Sequence, residues 1–319
     1  MARFLFGRIL AFIPTLFGVS ILVFFVIRQI PGDAIMARLG AEAAGNLTPA
    51  EEAAYRAYFG LDKPLTQQYI EWVGGILRGD FGYSEVRREP VLTSISTTFP
   101  LTLELTLLAL ILALAIGLPI GILSATRSNS VFDIGSRIMG MIGLSMPNFW
   151  MGTLIILVLS AGFHFMPDAG QFTPFTENPL QNLVQLIFPA FTLGFAFSAS
   201  VMRTTRAVML EELGQDYTRT ARSKGLRERS VVVSHTLRNG LIPIITLVGI
   251  EMGYLLGGAV LVENVFALPG IGRLVYVAIL QRDYALVQGG ILFIAFNFVL
   301  VNLLVDFLYA VVDPRVSHA

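Results

Sequence analysis

Glu251 makes the heaviest demand on its surroundings, because it interrupts the apolar run 240–262 with a carboxylate. A charge near the centre of a bilayer costs about 2.5–3.5 kcal/mol on insertion scales, so such a group must face a bundle interior or a wet cavity. Two readings stand: Glu251 lines a polar pathway and can meet a cationic amine, or it is a protonated or hydrogen-bonded packing residue. Glu104 and Asp306 lie nearer the ends of their apolar runs, where water reaches them, and Asn297 and Asn302 are expected to join helices by hydrogen bonds. Other reactive groups are sparse. The histidines, His164, His235 and His318, fall outside the apolar runs, no HExxH pair is present, and there is no cysteine. A metal centre or a nucleophile site therefore lacks its parts, and no metal or cofactor is expected. The lysines are Lys63 and Lys224, and neither follows the glycine spacing of a phosphate-cradling loop. The chain is expected to be non-catalytic.

These residues must be positioned by membrane helices. With 55% hydrophobic and 14% charged residues, the 319-residue chain is too apolar for water to be its main solvent. A net charge of zero gives no reason to expect a nucleic acid partner. Crossing the hydrocarbon core takes roughly 20 helical residues. Runs at 9–30, 100–123, 137–161, 183–202, 240–262 and 286–312 meet that length, so we expect an all-α polytopic protein with six transmembrane helices. The first run is longer than a signal-peptide core and is read as a retained helix. Basic residues concentrate at Arg3, Arg8, Arg127, Arg137, between Arg203 and Arg238, and at Arg315, which places both termini in the cytoplasm. The expected organisation is an N-terminal helix over 1–30, an external helical region over 31–99, and a five-helix core over 100–319 containing a cytoplasmic loop at 203–239.

Local signals organise the two extramembrane segments. Thr48, Pro49 and Glu51 read as N-cap, first-turn proline and capping-box acid of a helix ending near Phe59, with Gly60 as its stop. A second helix carries Leu65, Tyr69, Trp72, Val73, Ile76 and Leu77 at helical spacing and stops at Gly79. This pair either lies on the membrane and roofs a pore mouth or packs against the bundle. The loop 203–239 holds eight basic and four acidic residues, far more chain than a simple connection needs. Gly225 splits it into two short helices, the second with Leu226, Val233 and Leu237 on one face. Such an element suits docking to a cytoplasmic partner or an anionic lipid surface.

The stretch DYTRTARSKGL at Asp216–Leu226, followed by SHTLRNGLIP at Ser234–Pro243, resembles the cytoplasmic EAA loop of ABC-importer permeases. Ala221, Gly225 and Leu237 match the general motif, and the stretch as a whole is similar to the dipeptide and oligopeptide branch. RQIPGDAI at 28–35, FGLDKPL at 59–65, GDFGYS at 79–84, MPNFWMGTL at 146–154, ENVFALPGIG at 263–272, RDY at 282–284 and DPR at 313–315 extend the resemblance over essentially the whole chain. It implies a half-pore in a bacterial inner membrane, paired with a homologous permease, and expected to form a heterodimer. Two cytoplasmic ATPases would bind beneath and an extracytoplasmic solute-binding protein above, with membrane lipid around. Carried over, the loop 211–238 is the ATPase-coupling segment, with Asp216, Tyr217, Ala221, Lys224, Gly225, Leu226 and Leu237 as its contact and turn residues. Glu263, Asn264 and Phe266 would then join Glu251 along the translocation pathway near the external mouth.

A secondary transporter is the rival class. It would ordinarily show internal repeats and need no docking loop. Nickel chelates and glutathione are alternative cargoes, since look-alike systems carry them.

Overall fold

The computed structural model describes residues 2–29, 35, 39, 43, 45–165 and 170–312. Most of the RQIPGDAI stretch and the DPR motif lie outside them. The elements are α1 (Ala2–Gln29), α2 (Pro49–Tyr58), α3 (Leu65–Leu77), β1 (Tyr83–Ser84), β2 (Glu89–Pro90), α4 (Val91–Thr126), α5 (Val131–Ser145), α6 (Asn148–Phe163), α7 (Pro179–Leu213), α8 (Asp216–Ser223), a turn of helix at Glu228–Ser230 running into a π-helical stretch Val231–Leu237, α9 (Arg238–Val265), α10 (Ile271–Leu280) and α11 (Tyr284–Val312). Apart from the short β1–β2 pairing, the described residues are helical or connecting. Five helical segments among the described residues are long and apolar enough to cross a membrane, and six if the bent pair α5 and α6 is counted as one span.

That bend departs from the straight helix expected over 137–161. The axis turns by 104° between α5 and α6. Pro147 is responsible, because its ring disfavours helical backbone at Met146, which instead takes φ −89°, ψ 121°. Pro14, Pro189 and Pro243, by contrast, sit inside continuous helices.

Two compact units divide the chain, and each is built from separated segments. One comprises Phe6–Leu101 and Pro269–Leu300. Its core joins Val23 and Ile27 of α1, Val91 and Ile95 of α4, Ile271 and Leu274 of α10, and Leu286 and Val287 of α11. The capping box forms as expected, with Thr48 and Glu51 satisfying each other's backbone donors, and Gly60 takes φ +64° just beyond the C-cap. Helix α3 packs on α1: Tyr69 shares a 2.7 Å hydrogen bond with Ser20, Arg28 donates to Gln68, and Tyr69 and Trp72 set their rings against Phe24. At the start of α11, Asp283 accepts from the Ser84 hydroxyl and from the Leu286 backbone N–H, capping the helix.

The second unit comprises Thr102–Leu268 with the end of α11 from Val301. Small residues let its helices approach closely, the packing mode favoured where lipid removes the hydrophobic drive between helices. A Cβ at Gly194 of α7 would stand 2.6 Å from the Ala109 carbonyl oxygen of α4, and one at Gly121 would stand 2.7 Å from Cβ of Thr205.

Candidate functional site

Helix α7 runs beyond the apolar run expected over 183–202. It continues to Leu213, since a helix that has left the hydrocarbon keeps its backbone bonds and can carry an exposed residue such as Arg203 in water. Gly214 caps it, and Thr218 Oγ1 donates to the Glu212 carbonyl at 2.9 Å, fixing the turn into α8. Tyr217 donates its hydroxyl to the Glu212 carboxylate, and burial followed by that carboxylate raises the phenol pKa above its ordinary value. Thr218 and Ala221 are the buried anchors of α8.

The opposite side of α8 is open. The Asp216 side chain is 96% exposed with Arg219 3.7 Å away, and Lys224 is exposed. Gly225 turns the chain at φ +76°, a left-handed conformation that a Cβ would strain, with open space around it. Arg222 spans this turn with hydrogen bonds of 3.2 and 2.7 Å to Glu228, linking the two short helical pieces. Of the three apolar residues expected on one face, Leu226 and Val233 are 41% and 49% exposed. Leu237 instead packs inward on the cluster of Ala125, Met209 and Val232. The π-helical stretch is held by Thr236 Oγ1 donating to the Val231 carbonyl at 3.0 Å. Stretches of this kind are frequent at functional sites.

At the other end of α9, Glu263 is fully buried and accepts a 2.6 Å hydrogen bond from Thr102 Oγ1 of α4, while its backbone carbonyl accepts from Leu268 N–H at 2.8 Å. Asn264 is half-buried and turns its amide back to the Val260 carbonyl at 2.7 Å. Phe266 is buried beside Gly152 of α6, where a Cβ would lie 3.1 Å from its ring. The Gly170 N–H donates to the Ala267 carbonyl at 3.0 Å, which lays Gly170 against this stretch. Glu251 is half-buried, and among the described residues its carboxylate makes no hydrogen bond or ion pair. The structure thus brings Glu263, Asn264 and Phe266 together and leaves Glu251 more than three turns away along α9.

Sequence reasoning missed two polar clusters. Glu104, expected to be a water-accessible end residue, accepts from Asn182 of α7 and from the Phe175 backbone N–H. Asn182 also donates to the Thr173 carbonyl and Gln185 accepts from Thr173 N–H, so this group fastens the 170–178 connection. The second is a buried ion pair between Asp133 and Arg206. Its one sequence signal is Asp133 three residues after Ser130, which is the observed N-cap of α5. Asn297, expected to reach another helix, donates to the Phe293 carbonyl of its own helix at 2.8 Å, satisfying its amide locally.

The described residues contain no group of three or more His, Asp or Glu side chains able to hold a metal ion. What the site offers is an exposed turn at one end of α9 and a tightly hydrogen-bonded crossing at the other. Comparison with known proteins gives the family. The family described as binding-protein-dependent transport system inner membrane component matches residues 117–318, and its N-terminal counterpart matches residues 1–106. A dipeptide transport system permease protein of Escherichia coli K12 is 39% identical over 340 residues, covering 100% of this chain and 99% of the relative. A di/tripeptide transport system permease protein of Pseudomonas aeruginosa is 41% identical over 337 residues, with 100% and 99% covered. An oligopeptide transport system permease protein of Bacillus subtilis is 40% identical over 320 residues, with both chains fully covered. With matches of this extent over both halves of the sequence, the chain belongs to the family of inner membrane components of binding-protein-dependent transport systems.

Proposed function

We propose that this chain forms half of the translocation pore of an ATP-driven importer for di- and oligopeptides, paired with a homologous permease as a heterodimer. Both termini lie in the cytoplasm, residues 31–99 are external, two ATPase subunits attach to the 211–238 segment, and an extracytoplasmic binding protein delivers cargo. The observation that carries this reading is the segment itself: Leu226 and Val233 are exposed on a turn whose other side is anchored through Ala221 and Leu237. A stroke applied to a floppy loop would be absorbed there, whereas a stroke applied here passes into α7 and α9. The peptide cargo is supported by the relatives, all three of which are named for peptide transport.

Along the pathway, Glu251 is the member best placed to meet a cationic peptide amine, since a half-buried carboxylate in a membrane helix needs a wet cavity or a partner. Asn264 would follow it toward the external mouth, while buried Glu263 and Phe266 hold the shape of that stretch. Alternating access then needs no chemistry in this chain, only two arrangements of helices whose balance the ATPases shift.

The test is reconstitution. The permease pair, ATPases and binding protein in proteoliposomes should import a labelled dipeptide only with ATP inside the cytoplasmic face and the binding protein outside. Uptake driven by an ion gradient in the absence of ATPases would make the chain a secondary carrier, and uptake of a nickel chelate but not peptides would reassign the cargo.

A further inference from the structure

The ion pair between α5 and α7, a buried carboxylate whose partner guanidinium is 20% exposed, is not used by the coupling and pathway residues. Asp133 has no exposed surface. Its Oδ1 accepts from Arg206 Nε at 2.6 Å and from Ser124 Oγ at 2.5 Å, and its Oδ2 accepts from Arg206 Nη2 at 2.8 Å and from the Asn129 backbone N–H at 2.9 Å. The guanidinium therefore grips the carboxylate at two points, while the end of α4 and the α4–α5 turn supply the other donors. Planar two-point contact fixes orientation as well as distance, which a lysine in the same place could not do.

The position of this pair sets its use. Three residues beyond Arg206 on α7, Met209 packs with Ala125 at the end of α4 and with Val232, and Leu213 and Leu237 lie against the same cluster. Residues 214–237 are thus tied to the foot of α7, and the foot of α7 is tied by Arg206 to α5. Above the pair α4, α5 and α7 also approach closely, a Cβ at Gly117 standing 2.6 Å from the Ser198 carbonyl oxygen and one at Gly143 3.3 Å from Cβ of Ala199, beside a half-open apolar groove of about 420 Å³ bordered by Phe132, Met139 and Phe195. Apolar helix contacts of this kind permit small sliding movements, whereas a two-point ion pair fixes orientation as well as distance.

Resting on the coupling role proposed for residues 211–238, we propose that Asp133 and Arg206 are positioning residues that clamp α5 and the end of α4 to α7, so that these helices move as one body when the ATPases act on the coupling segment. The clamp lets a displacement at Val232 and Leu237 reach α5, and through α5 the bend at Pro147, without the helices sliding past one another.

The test uses the full complex in proteoliposomes and reads peptide imported per ATP hydrolysed, which a merely structural loss would not change in complexes that still assemble. Asp133→Asn keeps the shape but removes the charge, and should lower the ratio by about tenfold, the scale of a typical coupling free energy between sites, with ATPases still attached. Arg206→Lys, which keeps the charge and loses the two-point grip, should fall in between. An independent arm needs no loss of the pair. A Cβ at Gly143 of α5 would stand 3.3 Å from Cβ of Ala199 of α7, and the chain has no cysteine of its own, so Gly143→Cys with Ala199→Cys allows one selective disulfide. Locking two helices that already move together should leave uptake per ATP unchanged. An unchanged ratio in assembled Asp133→Asn complexes overturns the proposal, as does a disulfide that stops uptake until it is reduced. The disulfide arm decides where Asp133→Asn does not fold, and absence of ATP-driven uptake by the wild-type complex would refute the importer reading instead.

Discussion

Thr102 donates its hydroxyl to the buried carboxylate of Glu263 at 2.6 Å, joining α4 to the end of α9 across 161 residues of sequence. Replacing Thr102 by Val removes a hydrogen-bond donor from a fully buried carboxylate. That change should destabilise the protein by about 1–3 kcal/mol, while Thr102→Ser, which keeps the hydroxyl, should stay close to wild type. Thermal unfolding of the detergent-solubilised protein measures both, and equal behaviour of the two variants would deny the bond its role.

Close helix approach gives a second contrast. Gly194→Ala puts a methyl 2.6 Å from the Ala109 carbonyl oxygen, and backbone on both sides has little room to yield. We expect a loss of about 1–3 kcal/mol, the usual cost of overpacking. Gly162→Ala, where nothing lies within 4 Å of the added atom, should be neutral in the same unfolding measurement.

The turn at Gly225 is constrained by backbone rather than by space. At φ +76°, Gly225→Val should cost about 1–2 kcal/mol of left-handed strain and disorder the α8 turn, whereas Gly225→Asn should be tolerated. Retention of ATPase subunits during purification reports the difference. Identical retention by both variants would show that the turn conformation is not required.

Acidity should modulate the first unit through Asp283. Burial raises its carboxyl above the ordinary aspartate range, against hydrogen bonds from Ser84 and the Leu286 N–H that lower it. A raised folded-state value means that the native protein holds this proton more tightly than the unfolded chain does. The resulting stability is fully present below the ordinary value near about pH 4 and is lost as pH rises through the raised one. Asp283→Asn does not titrate, so the unfolding temperature of wild type should fall relative to this variant on going from about pH 4 to pH 7. A gap that stays constant over that interval would contradict the assignment.

Local chemistry was legible in the sequence and long-range pairing was not. Thr48, Pro49, Glu51 and Gly60 announced α2 because a capping box and a left-handed glycine act within a few residues. Gly79 and Gly225 marked turns for the same reason, and apolar run length located the membrane helices. The bend at Pro147 was hidden because other prolines in apolar runs, such as Pro189 and Pro243, sit within unbroken helices. Arg203 and Arg206 suggested the end of a span, yet α7 continues because leaving the membrane does not oblige a helix to stop. Asp133 and Arg206 are 73 residues apart, as Thr102 and Glu263 are 161 apart, and nothing in residue type or spacing pairs them. Only the packing of α4, α5 and α7, and of α4 against α9, does so.

The account depends most on the exposed coupling face. Its direct measure is the affinity of the purified ATPase subunits for the permease pair in nanodiscs, comparing wild type with Leu226→Asp and Val233→Asp. Each substitution puts a charge on an exposed apolar contact that supports no core cluster, so each should weaken attachment by about tenfold or more while leaving insertion and unfolding temperature unchanged. Wild-type affinity in both variants would contradict the claim that the ATPases grip this chain through residues 211–238.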